Sequence, residues 1–218
     1  MTQRYEPAAH DFEAPLDSGD AAKSRELKYR RILASAVEVI AEKGFASSRV
    51  SDIASRAGVA DGTIYLYFKS KDQILMAALD DAFTSFIRMA HERLSVIGDA
   101  EGKLRALVRL HLEVLGRNKP LAVVLQTELR QSAKFLAEFS QRRLRSYLEL
   151  MRDIIREGQE SGEFRGTLSD RIAVSCLFGA LDDVVTAWIL SERDYELAPL
   201  ADSISDVLLF GVSNGRAS

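Results

Sequence analysis

Cysteine is almost absent. Cys176 is the only one in 218 residues, so no disulfide can close within the chain. A lone thiol suits a reducing cytoplasm and excludes a disulfide scaffold. Histidine is scarce as well. His10, His91 and His111 are widely dispersed and suggest no shared site, and no metal centre is expected. Strand signals are lacking, because no stretch alternates cleanly between apolar and polar residues. No apolar run approaches the ~18 residues of a membrane span. The first twenty residues are polar and acidic, unlike a signal peptide. A phosphate-binding Gly-x-x-x-x-Gly-Lys loop is missing too, and no enzyme is expected.

What remains is 47% apolar and 28% charged, enough for a buried core and a wet surface. The net charge of -3 hides an asymmetry. Residues 1–22 carry one base and five acids and contain Pro7, Pro15 and Gly19, which reads as a flexible acidic leader. Residues 23–71 carry ten bases and five acids, the layout expected of a small module that touches a polyanion. Chance clustering on a solvated helix face gives the same count, so the pattern must decide.

The pattern is helical throughout, and the expected fold class is all-α. Ile32, Leu33, Ala36, Val37, Val39 and Ile40 recur at helical spacing until Gly44. Val50, Ile53, Ala54 and Ala57 mark a short helix ended by Gly58, and Ile64 and Phe68 mark another over about 61–68. Ser70-x-x-Gln73 has the capping-box form and opens a long helix into the nineties. Further helices are expected near 103–115, from Pro120, over 132–157, from Thr167-Leu168-Ser169-Asp170 to about 191, and from Pro199 to about 212. The division is a leader (1–22), a first helical unit (23–70) and a second, larger one (71–218).

Residues 48–68 carry the chemistry. Two short amphipathic helices joined at Gly58 have the form of a helix-turn-helix, whose second helix enters the major groove. Ile64 and Phe68 point inward, which leaves Thr63, Tyr65 and Tyr67 outward, with Lys69 and Lys71 beyond. Hydroxyls, phenols and ammonium groups suit phosphate oxygens and base edges. An ordinary helical hairpin with surface tyrosines shares this spacing.

The run from Ser51 through Asp52-Ile53-Ala54, Ala57-Gly58-Val59 and Gly62-Thr63-Ile64-Tyr65-Leu66-Tyr67-Phe68 to Lys71 resembles the DNA-binding segment of the TetR family. The resemblance implies a homodimeric repressor that binds double-stranded operator DNA, with 23–70 as its DNA-binding unit and 71–218 as its ligand-binding and dimerisation unit. By position it places Ser48, Arg49, Thr63, Tyr65, Tyr67 and Lys71 at DNA. Many members have Ser where this chain has Ala60, so one helix cap is missing and Asp61 is the alternative cap.

Beyond residue 71, Glu128-Leu129-Arg130-Gln131-Ser132 and Phe178-Gly179-Ala180-Leu181-Asp182-Asp183 through Trp188 look like the TetR-type FadR repressors of fatty-acid degradation. That likeness implies a long-chain acyl-CoA inducer and no other cofactor. An acyl chain needs an apolar tunnel, for which Leu107, Phe135, Tyr147 and Phe178 are candidates, although most such residues are plain core. The phosphates of coenzyme A need bases. Arg105 and Arg109 share a helix face, and Arg130, Lys134, Arg142, Arg143 and Arg145 are further candidates. Cys176, Gly179, Ala180, Asp183 and Ala187 form a stripe of mostly small residues, with Cys176 expected as a buried small hydrophobe. With Trp188, Ile204 and Leu208 they are the expected dimer interface, with packing inside one chain as the other reading. The alternatives are a TetR-type repressor sensing a drug or another hydrophobic metabolite, and a helical protein without DNA binding.

Overall fold

The computed structural model describes residues 19–128, 143–193 and 195–212. Those residues form helices joined by short turns, with no β-strand among them. The first helix, α1 (Gly19–Lys43), begins inside the segment expected to be a flexible leader. It buries Ile32, Leu33, Ala36, Val37, Val39 and Ile40 and ends at Gly44, whose N–H donates to Ile40 O at 2.8 Å.

The next helix, α2 (Val50–Ala57), starts where Asp52 accepts a hydrogen bond from the Arg49 N–H at 2.9 Å. Gly58 has φ 62°, the left-handed conformation that turns the chain. Its N–H and that of Val59 return to Ser55 O and Ala54 O, closing the helix end. A Cβ here would also lie 3.0 Å from the Arg31 guanidinium, which donates to Ala57 O. The recognition helix α3 (Asp61–Tyr65) is shorter than expected, and Leu66–Phe68 continue as a turn tied back to Thr63 and Ile64. No side chain caps α3: Ala60 has none to offer, and Asp61 is already inside the helix.

The long helix α4 (Lys71–Leu94) is capped by Ser70, whose hydroxyl accepts from the Gln73 N–H at 3.2 Å. Gln73 accepts in return from the Lys69 N–H, one residue before the partner that a capping box uses. Next comes α5 (Ala100–Gly116), buried on several faces by Leu104, Leu107, Val108, Leu110 and Leu112. A helix apolar nearly all round belongs at the centre, and α5 packs against α4, α6, α7, α8 and α9. Its N-terminus is held by Glu163, which accepts from the Ala100 and Glu101 N–H groups. The Glu101 N–H in particular keeps that carboxyl below its ordinary range.

Asn118 caps α6 (Lys119–Val123), which runs into a π-helical turn (Val124–Glu128). After the undescribed segment come α7 (Arg145–Ser161), α8 (Asp170–Leu190) and α9 (Ala201–Val212), the last led by a 3-10 turn at Ala198–Leu200. Only the C-terminal part of the helix expected over 132–157 is therefore described. Gly158 lets α7 meet its own exit loop: a Cβ there would lie 2.2 Å from the Phe164 ring.

One expectation needs correction. By length and composition α8 is long and apolar enough to cross a membrane. Asp182 and Asp183 interrupt its apolar run. In the fold Ala173, Val174, Leu177, Leu181, Val185 and Trp188 are buried within the protein, and Asp182 is hydrogen-bonded.

Candidate functional site

Two surfaces and one cavity carry chemistry. The first surface is α3 and its surroundings. Tyr65 is 60% exposed, Thr63 is half-buried, and Arg49 and Lys69 are exposed. Tyr67 is half-buried beside Tyr29 and Phe68, with the Arg25 guanidinium 5.8 Å above its ring. These residues share the face expected to meet DNA.

Two expected contacts are spent internally. Ser48 is buried, and its hydroxyl donates to Phe45 O at 2.9 Å, so it offers no proton to a phosphate. The Lys71 ammonium has three donors. They meet the carbonyls of Phe45, Ala46 and Ser48, and the Phe45 ring lies 4.4 Å away. Lys71 thus fastens the start of α4 to the turn between α1 and α2.

The cavity has a volume of about 390 Å³ and is enclosed by α4, α5, α6 with its π-turn, α7 and α8. That size is in the range of small-molecule sites. Its wall is mostly apolar: Ala82, Phe83 and Phe86 from α4, Val114 and Leu115 from α5, Leu121 and Leu125, Leu144, and Phe178. Polar groups come from His111, Gln126, Tyr147 and Asp182. His111 Nδ1 lies 2.9 Å from the Tyr147 hydroxyl, and the two rings stack. Burial pushes His111 down to about 4 and Tyr147 well above the ordinary phenol value. Both are neutral at pH 7. Gln126 donates to Asp182 Oδ1 at 3.0 Å and accepts from the Thr186 hydroxyl at 3.2 Å.

Of the expected ligand residues, Tyr147 and Phe178 line this cavity. Leu107 does not; it is 1% exposed in the core beside it. Arg105 and Arg109 face α9 instead, where they pair with Asp206 at 2.8 Å and Asp202 at 2.6 Å. Helical spacing put the two on one face but did not say which neighbour that face meets. Arg130 and Phe135 lie outside the described residues. The dispersed histidines suggested no shared site, and His111 meets Tyr147 rather than another histidine. Its position between Leu110 and Leu112 on an apolar helix was the signal available.

The second surface runs along α8 and α9. Cys176, Gly179, Asp183 and Ala187 are exposed on one stripe of α8, joined by Ile172 and Leu190, which sequence reasoning missed. Cys176 is therefore not buried within the chain. On α9, Val207 and Phe210 are 74% and 85% exposed, whereas Ile204 and Leu208, like Ala180 of α8, are half-buried. Trp188 is buried in its own chain and donates to Tyr195 O at 2.8 Å, so it is not a free interface anchor. Gly211-Val212-Ser213-Asn214-Gly215 spells the Gly-x-Ser-x-Gly of a hydrolase nucleophile turn. It begins at the end of helix α9, whereas that turn requires a strand before it.

Residues 32–78 match the model of bacterial regulatory proteins of the tetR family, and residues 79–211 match that of the YsiA-like protein C-terminal region. The chain is 40% identical over 192 residues to the fatty acid metabolism regulator protein of Bacillus subtilis, covering 88% of this chain and 99% of that one. Its fold is similar to the fatty acid degradation regulator FadR of Bacillus halodurans, with TM-score 0.79 and 40% identity over 84% of this chain and 98% of that one. It is also similar to FadR of Bacillus subtilis in complex with stearoyl-CoA, with TM-score 0.80 and the same identity and coverage. A tetR-type DNA-binding unit joined to a YsiA-like C-terminal region makes this chain a member of the TetR family of bacterial transcription regulators.

Proposed function

We propose that the chain is a homodimeric repressor that binds operator DNA and is released by a long-chain acyl-CoA, so that fatty-acid degradation genes respond to their substrate. The observation that carries this reading is the apolar cavity, one wall of which is α4, the helix fastened through Lys71 to the DNA-reading unit. A ligand that fills the cavity pushes on Ala82, Phe83 and Phe86, and α4 passes the movement on. Release requires that the ligand bind the DNA-incompetent arrangement better than the competent one. Each buried CH₂ of an acyl chain contributes about 0.8 kcal/mol, so long chains are favoured.

The DNA contacts in this reading are Arg49, Thr63, Tyr65, Tyr67 and Lys69. Two recognition helices of a dimer must lie about 34–36 Å apart to meet successive major grooves. The exposed stripe of α8 with Val207 and Phe210 of α9 supplies the dimer contact. The likeness to FadR bound to stearoyl-CoA supports the ligand class. The protein acts in the cytoplasm, without a cofactor.

The test is a mobility-shift titration on an operator selected from the source genome. Long-chain acyl-CoA, and not free coenzyme A, is expected to release the DNA. Release by neither acyl-CoA nor any fatty acid would discard the ligand and keep only the DNA-binding part.

A further inference from the structure

The cavity has one polar end, and its hydrogen bonds can be counted. The Tyr147 hydroxyl has His111 Nδ1 as its partner, and His111 Nε2 is buried with no partner among the described residues. A neutral imidazole carries one proton, on either nitrogen. If Nδ1 held it, the phenol proton and the Nε2 lone pair would both be unsatisfied. If Nε2 holds it, the phenol donates to Nδ1 and a single group is left over. The second arrangement leaves fewer buried polar groups unpaired. It makes the Nε2–H of His111, a residue of the cavity lining, a buried donor with no acceptor among the described residues.

The Asp182 carboxylate lies on the same wall, held by Gln126. His111 lines the same cavity. A carboxylate on the wall of an apolar cavity repels a second anion. A ligand group that suits this end must therefore accept a hydrogen bond and carry no negative charge. A protonated amine would pair with Asp182 but leave the His111 Nε2–H without an acceptor.

We infer that His111 Nε2–H receives the neutral carbonyl oxygen of an acyl thioester, while Asp182 turns away a free carboxylate, so that the cavity distinguishes an activated acyl group from the free acid. This rests on the acyl-CoA reading above and adds to it the atoms that tell ester from acid. It also accounts for a polar cluster that an acyl chain alone would not need.

The test uses the full chain with three probes: stearoyl-CoA, its thioether analogue with CH₂ in place of the carbonyl, and stearate. The protein is expected to prefer stearoyl-CoA over the thioether by about tenfold or more, the scale of one buried hydrogen bond. His111→Phe is expected to bind the two CoA compounds equally, and His111→Gln, which keeps an N–H donor, to restore part of the preference. Asp182→Asn is expected to raise the affinity for stearate relative to stearoyl-CoA by about tenfold or more. It provides a second arm that does not depend on the His111 variants folding. Equal binding of thioester and thioether by the unaltered protein overturns the inference and leaves the acyl-CoA reading standing. So does an Asp182→Asn protein that still excludes stearate. Failure of both CoA compounds to bind overturns the two together.

Discussion

The ammonium of Lys71 sits 2.6 Å from the carbonyl oxygen of Ser48, joining the first residue of α4 to the end of the turn that leads into α2. With Phe45 O and Ala46 O as its other acceptors, it is an internal fastener rather than a free charge. Lys71→Met removes these bonds and keeps the stem. Urea unfolding is expected to show a loss of about 1–3 kcal/mol, the cost of leaving buried carbonyls unpaired. The salt dependence of DNA binding is expected to stay unchanged. A slope lower by about one phosphate contact with full stability would return Lys71 to the DNA surface.

Tyr65 is the opposite case, with its side chain exposed. Tyr65→Ala is expected to weaken operator binding by about 1–3 kcal/mol, the range of a base contact. Its melting temperature should match that of the unaltered protein. Operator affinity at the original level in a mobility shift would remove Tyr65 from the interface.

Gly158 is a packing position. A methyl group there would overlap the Phe164 ring, which is 2% exposed and cannot swing outward without opening the core. Gly158→Ala is expected to cost about 1–3 kcal/mol in chemical denaturation, as overpacked cores do. An unchanged midpoint would mean that the loop carrying Phe164 gives way easily.

How far the sequence alone could be read depends on what each feature requires. Helix ends such as Gly44, Gly58 and Ser70 were legible because they act through their own backbone or through neighbours within a turn, whereas α8 is capped by Ser169 and not by Thr167, where the capping-box pattern begins. The helix-turn-helix was legible for the same reason. Partners across the fold were not. Arg105 and Arg109 share a face, but whether it meets Asp202 and Asp206 or a phosphate depends on where α9 lies. Ser48 resembles a surface hydroxyl until its turn folds inward. Cys176 and Trp188 show the same limit with opposite signs. Both lie on apolar helix α8, yet Cys176 is exposed and Trp188 is buried in its own chain. The Tyr147 and His111 pair joins residues from two helices, which no periodicity announces.

His111 gives a pH dependence with a definite sign. Its folded value of about 4 lies below the ordinary 6.5, so the unfolded chain binds the extra proton first. Its contribution to stability is complete above pH 6.5 and falls as the pH drops from there towards 4. The loss amounts to about 3 kcal/mol at the low end, at 1.36 kcal/mol per unit. Urea midpoints at pH 7.5, 6 and 5, compared between the protein and His111→Phe, isolate this share from the carboxylates. Parallel curves for the two proteins would contradict a neutral buried His111.

Phe210 projects into solvent from α9 beside Val207. If this face joins two copies, Phe210→Glu is expected to give a folded monomer by light scattering. A dimer that survives the change would place the interface elsewhere. Because two recognition helices must act together, the monomer should also lose operator binding.

The central claim is that the cavity takes a long-chain acyl-CoA, and calorimetric titration of the purified protein tests it most directly. Stearoyl-CoA is titrated beside stearate and free coenzyme A. The account predicts tight, saturable binding of stearoyl-CoA, with stearate and coenzyme A each far weaker. Absence of heat and saturation with stearoyl-CoA, or equal binding of coenzyme A alone, would contradict it.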